Sequence, residues 1–269
     1  MTFPQSKRVI FGRNPIAQAI CQLKFPPILE ILTSPPAEFQ KEIRSDYPLY
    51  QREDNAGIPR EFVEIISKLQ GAAAQLGESV MHKFATEDGT RNVALGKDFV
   101  AVTATRYERW QRFREDITRA VNPLERIYRP AFYSRIGLRY VNTIDRELLG
   151  LRNSDWKDLL NSAFVGILAS EEVSSNVVNF QAQTVIDLKN FVPGAFVAMR
   201  IGLQPDKPNQ SVFIIDNDFF KEGKTESQDV LEILNTFNKL DGNLFRWAIG
   251  SDGPLWNALQ PADPAGAPD

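Results

Sequence analysis

From Asn14-Pro15 the chain alternates, with Ala17, Ala19, Cys21, Leu23 and Phe25 apolar, Gln18, Gln22 and Lys24 between them, and Ile20 the exception. Period two predicts a half-buried strand. Pro26-Pro27 ends it, because proline has no N–H to give a ladder. Ser34-Pro35-Pro36 predicts a short helix through Phe39, Ile43 and Arg44, capped by Ser34 and stopped at Tyr47-Pro48. Gln51 to Arg60 reads as a loop, and Glu61 to Gly71 fits either strand or helix. Three strands follow: Val80 to Thr86, Arg91 to Leu95 across the hairpin signal Asp88-Gly89, and Phe99 to Arg106. Tyr107, Trp110, Phe113, Ile117 and Val121 then recur at three and four, the stripe of an amphipathic helix, which Pro123 should end or kink.

The same order then starts again. Phe132, Ser134, Ile136, Leu138 and Tyr140 alternate with Tyr133, Arg135, Gly137 and Arg139. Asn153-Ser154-Asp155 predicts the cap of a short helix carrying Trp156, Leu159, Leu160 and Phe164. Strands follow at Val177 to Leu188, Phe196 to Gln204 and Val212 to Phe219. Thr225 with Gln228 matches a capping box ahead of a long helix striped by Val230, Leu234, Phe237, Leu240 and Leu244. Both halves therefore read strand, helix, three strands, long helix. Cys21 to Phe25 aligns with Ile136 to Tyr140 at the offset of 115 that carries Leu23 onto Leu138. The expectation is an α+β fold built by tandem duplication, with halves at 1–130 and 131–260 and a disordered Pro/Ala/Gly/Asp tail at 261–269. Meandering strands predict antiparallel sheet, with the long helices packed on one face. In order of elements alone this resembles the saddle of TATA-binding proteins, a likeness that carries no function.

Composition narrows the class. The chain has 269 residues, with 43% hydrophobic and 24% charged, so it can build a core without staples. A single cysteine allows no internal disulfide and fits a reducing compartment. Met1 to Arg13 is polar and basic with no apolar signal region, and no stretch has the apolar length of a membrane span, so a cytoplasmic protein without a membrane partner is expected. The net charge of −3 argues against a general nucleic-acid binder. Lys7, Arg8 and Arg13 are too sparse for a basic arm and read as solvated end residues.

Little in the chain suggests catalysis. His82, the one histidine, lies in a predicted strand and reads as a plain strand histidine, while Cys21 reads as a buried thiol acting as a small hydrophobe. One Cys and one His cannot supply the usual four zinc ligands. Asp216 and Asp218, at i and i+2 of a strand, point the same way and could share a Mg²⁺, which makes a metal-dependent enzyme the alternative reading. Phosphate-loop, dinucleotide and hydrolase-elbow motifs are absent, and no cofactor is called for.

Phe11-Gly12-Arg13-Asn14-Pro15-Ile16, then Cys21 to Leu29 and Pro36 to Gln40, resemble the N-terminal signature of a sporadically distributed bacterial family. Tyr107-Glu108-Arg109-Trp110 and Gly137 to Asn142 match its later blocks. The resemblance implies a bacterial source and lends no activity or catalytic residue.

The remaining signal is the outward face of the sheet. Alternation places Gln22, Lys24, Arg135, Arg139, Asn179, Gln181, Gln183 and Arg200 there, opposite apolar sets such as Val178, Phe180, Ala182 and Val197, Met199, Ile201, Leu203. Planar multi-donor groups suit the reading of polypeptide or nucleic-acid edges. The function expected from sequence is therefore a non-enzymatic binding protein, with another protein favoured as partner over nucleic acid and the oligomeric state left open.

Overall fold

A computed structural model describes residues 3–5, 7–54, 80–207 and 210–262. The strands are β1 (Ile10–Phe11), β2 (Ile16–Lys24), β3 (Leu49–Asp54), β4 (Val80–Ala85), β5 (Arg91–Gly96), β6 (Phe99–Ala104), β7 (Tyr133–Ile144), β8 (Phe180–Asp187), β9 (Ala195–Lys207), β10 (Gln210–Thr225) and β11 (Pro261–Ala262). The helices are α1 (Leu29–Thr33), α2 (Ala37–Ile43), α3 (Trp110–Tyr128), α4 (Trp156–Leu159), α5 (Ser162–Val165), α6 (Val230–Ile249) and α7 (Pro254–Ala258). The protein is α+β. Nine strands make one antiparallel sheet in the order β3-β4-β5-β6-β2-β7-β10-β9-β8.

At the centre β2 runs antiparallel to β7, with Cys21 opposite Leu138 and Leu23 opposite Ile136. Each of these strands has on its other side the last strand before a long helix. Leu23 of β2 faces Val100 of β6, and Leu138 of β7 faces Phe219 of β10. Alternation sorts most positions as the sequence predicts, but a bulge between Ile16 and Gln18 leaves Ala17 exposed, and at the start of β7 Tyr133 joins the core while Ser134 is exposed. Ala19, Cys21, Leu23, Ile136, Leu138, Tyr140, Val197 and Phe219 share one apolar cluster with Phe113, Ile117 and Leu124 of α3 and Leu234, Phe237 and Leu244 of α6. The long helices thus cover the inward face, where Phe219 and Phe237 meet at 5.9 Å.

Several local expectations give way to tertiary packing. The segment read as a loop from Gln51 carries strand β3 to Asp54, paired with β4, so the first half contributes four strands after its short helices rather than three. The remainder of that segment and the ambiguous stretch to Gly71 lie outside the described residues. Ser34 closes α1, and α2 begins at Ala37 without a side-chain cap. Asp155 likewise makes no capping hydrogen bond, and the short helix read after it is two pieces, α4 and α5, with Asn161 capping the second. Pro123 neither ends nor bounds α3, which continues to Tyr128; proline is itself buried there between Ala120 and Leu124, so packing against the sheet outweighs the one lost N–H. No capping box forms at Thr225. Its hydroxyl ends β10, accepting from Lys221 Nζ at 2.7 Å and donating to the Gly223 carbonyl, and α6 starts only at Val230. The expected tail at 261–269 begins as structure: Pro261–Ala262 pairs with β1, and Phe11 beside it sits edge-on to Phe245 and Trp256. Residues 263–269 lie outside the described residues. Among the described residues no helix is long and apolar enough to cross a membrane.

Candidate functional site

The outward face holds most of the residues singled out in the sequence. Register lines up Gln22, Gly137, Phe220 and Phe196 across β2, β7, β10 and β9. Lys24 is opposite Arg135, and Asp216 stands between Val141 and Arg200. Gln181 and Gln183 are exposed on edge strand β8, whereas Asn179 precedes that strand. Val178, placed inward by the alternation, also precedes it and is exposed.

Exposure of the arginines is where the sequence reading fails. Their side chains keep only 19% (Arg135), 13% (Arg139) and 21% (Arg200) of their accessible surface. Arg139 grips Asp216 with two parallel hydrogen bonds, Nε to Oδ1 at 2.6 Å and Nη2 to Oδ2 at 2.8 Å. Arg200 Nη1 reaches the same carboxylate at 3.4 Å, and Arg135 Nη2 holds Asp218 at 2.9 Å. Burial pushes the Asp218 carboxyl above its usual range, against the pull of Arg135 and Arg139. Asp216 and Asp218 do share a face, as their spacing requires, but a Mg²⁺ there would have to displace guanidinium groups and sit among three like charges. No three His, Cys, Asp or Glu side chains gather as a metal site among the described residues.

The sequence reading missed the aromatic part of this face. Phe196 and Phe220 pack at 5.8 Å, and the Arg135 guanidinium lies 5.0 Å over the Phe220 ring. Gly137 makes that possible, since a Cβ there would collide with Arg135 Nη1. Ile20, Met81, Ala101, Ala198 and Val212 are buried on this face yet stand outside the apolar cluster of the core.

His82 is a core group, 1% exposed, within 3.1 Å of the Tyr50 hydroxyl at Nδ1 and 3.3 Å of the Ile31 carbonyl at Nε2. Cys21 is buried, and burial drives its thiol pKa far up, so it is an inert hydrophobe as read.

A second polar site lies on the helix side. A cleft of about 810 Å³ opens between the N-terminal segment, the start of α3 and the middle of α6, with Tyr140 and Asn142 of β7 among its lining. Trp110 Nε1 donates to Asn235 Oδ1 at 2.8 Å, joining α3 to α6, and the Tyr140 hydroxyl donates to Asn238 Oδ1 at 3.1 Å. Asp241 is buried and accepts from Asn217 Nδ2 at 2.8 Å, while Asn217 Oδ1 is buried without a partner among the described residues. Burial raises the Asp241 carboxyl to about 7, against the lowering pull of Asn217 and Arg246. Three stretches noted in the sequence, Phe11 to Ile16, Tyr107 to Trp110 and Gly137 to Asn142, contribute to this lining. A signal did exist in α6: Asn235, Asn238, Gly242 and Asn243 are poor helix formers in a helix interior, and they form a polar set beside the apolar stripe.

No family model matches the chain, and no curated protein matches it either.

Proposed function

We propose that the protein is a non-enzymatic binding protein that holds a protein partner across the outward face of its sheet. The observation that carries this reading is the patch of Phe196, Phe220 and Arg135, set among buried apolar side chains that stand outside the core cluster of the described residues. Aromatic residues and arginine are enriched where protein interfaces concentrate their energy. The ion pairs to Asp216 and Asp218 hold Arg135, Arg139 and Arg200 in place, so little side-chain freedom is left to lose on binding. Gln22, Lys24, Gln181 and Gln183 frame the patch, and Asn179 lies next to β8.

We infer that the two halves descend from one duplicated strand-helix-strands-helix unit, with an element order like that of TATA-binding proteins. The pairing of β2 with β6 and of β7 with β10, each ahead of a long helix, supports it. In this reading β3 is an addition to the first half.

The test is site-specific photocrosslinking in the native host, with a benzophenone amino acid at position 183 or 196 and, as a helix-side control, at 231. Discrete protein adducts from 183 and 196 with none from 231 are expected. Adducts from 231 alone, or none at all from the sheet face, would sink the reading.

A further inference from the structure

The helix-side cleft has a chemistry of its own, independent of the sheet-face reading. The chain carries a net charge of −3, yet Lys7, Arg8, Arg109, Arg114, Lys239 and Arg246 line this cleft against two acids, Glu108 and Asp241. Outside the cleft, Arg91, Arg112 and Arg119 converge on Asp116, and Arg126 meets Glu42. Arg109, Arg114 and Lys239 are exposed at the cleft and make no ion pair among the described residues. Arg109 also caps the 19-residue helix α3 without a side-chain hydrogen bond, so the first-turn N–H groups add donors and partial positive charge.

The carboxamides are oriented by chemistry. An indole N–H and a guanidinium can only donate. Asn235 must therefore turn its oxygen to Trp110 Nε1, Gln111 its oxygen to Arg8 Nη2 at 3.2 Å, and Asn243 its oxygen to Arg246 Nη2 at 2.8 Å. What these three keep for the cleft is their NH₂ ends. The site is thus rich in donors and cations, with Asp241 as a carboxyl on its α6 side.

We propose that this cleft binds a phosphorylated small molecule of nucleotide size, with the phosphate held by Arg109, Arg114 and Lys239 beside the start of α3 and the acceptor-bearing remainder held by the NH₂ groups of Gln111, Asn235 and Asn243. A volume of about 810 Å³ suits a ligand of that size. Phosphate brings negative charge and acceptors to match these cations and donors.

Titration calorimetry on the full chain at low salt tests it, with ADP, GDP, UDP and ribose 5-phosphate as probes and pyrophosphate, adenosine and a single-stranded oligonucleotide as controls. At least one probe should bind saturably at one site per chain, and affinity should fall as salt rises. Gln111→Glu and Asn235→Asp are nearly isosteric and keep an oxygen for Arg8 and for Trp110. Each should retain the wild-type unfolding midpoint while weakening the probe at least tenfold, whereas Arg126→Gln, on the paired arginine, should leave binding unchanged. The proposal is overturned if no probe binds, or if both acidic variants bind as tightly as wild type. Adenosine binding as well as ADP would remove the phosphate from it, pyrophosphate binding as well as any probe would remove the small-molecule remainder, and preference for the oligonucleotide would make the site one for nucleic acid.

Discussion

The two faces of the central sheet are both polar in places, and they handle polarity in opposite ways. On the outward face two carboxylates of β10 meet guanidinium groups: Asp216 meets Arg139 and Arg200, and Asp218 meets Arg135. On the helix side Asp241 has a carboxamide as its hydrogen-bond partner, and burial raises its proton affinity against the lowering pull of that bond. The pairing of Asp216 and Asp218 with arginines fixes a surface in one shape. The unpaired arrangement leaves groups whose hydrogen-bonding capacity is not used up inside the protein. Burial favours the neutral carboxyl in both places, and what differs is the partner, a guanidinium for Asp218 and a carboxamide for Asp241.

The sharpest way to break this comparison is to remove a built-in partner. Arg139→Gln leaves Asp216 with Arg200 at 3.4 Å, and a loss on the order of 3 kcal/mol is expected, as for other broken buried pairs. Leu138→Ala, one residue away on the opposite face, should cost about 2–5 kcal/mol. Comparable shifts in denaturant midpoint would show that the ladder is part of the fold. A loss below about 0.5 kcal/mol for Arg139→Gln would show it to be ordinary solvated surface.

Asp241 sharpens the contrast from the other side. Its folded pKa of about 7 lies above the ordinary value of 3.8, so the group favours folding below pH 4 and loses that contribution as pH rises through 7. At about 1.4 kcal/mol per unit, the buried carboxylate should cost on the order of a few kcal/mol at pH 8 relative to pH 4. Asp241→Asn should flatten this dependence, so that its stability relative to wild type increases from pH 5 to pH 8. A constant difference across that range would place the carboxyl in contact with water.

Smaller effects follow from groups that are satisfied or exposed. His82→Ala removes a buried contact to the Ile31 carbonyl and a half-buried one to Tyr50, and a loss of about 1–3 kcal/mol in urea unfolding is expected. The collision at Gly137→Ala is with the end of a flexible side chain, so it should cost less, about 1 kcal/mol or under. Its mark would be displacement of Arg135 from the Phe220 ring, visible as a changed guanidinium environment by NMR. Gln181→Ala and Gln183→Ala, both exposed, should stay within about 0.5 kcal/mol of wild type.

The strands, their inward sets and the two long helices were legible in the sequence because period two and period 3.6 are properties of neighbouring residues. Ala19 to Phe25 and Arg135 to Tyr140 show this, and so does the inward position of Cys21. The direction in which Arg135, Arg139 and Arg200 point was equally legible. Only the tertiary structure decided what they point at, since Arg139 and Asp216 lie on different strands, 77 residues apart, and meet through the register of β7 with β10. The same holds for β3, whose polar residues become a strand by pairing with β4, and for Pro123, which packing keeps inside α3. The cleft is the extreme case. It takes side chains from the N-terminal segment, α3, β7 and α6, stretches whose local patterns do not show that they meet. A local pattern sets which side of an element a residue occupies, whereas a site made of distant segments exists only once sheet register and helix packing bring them together.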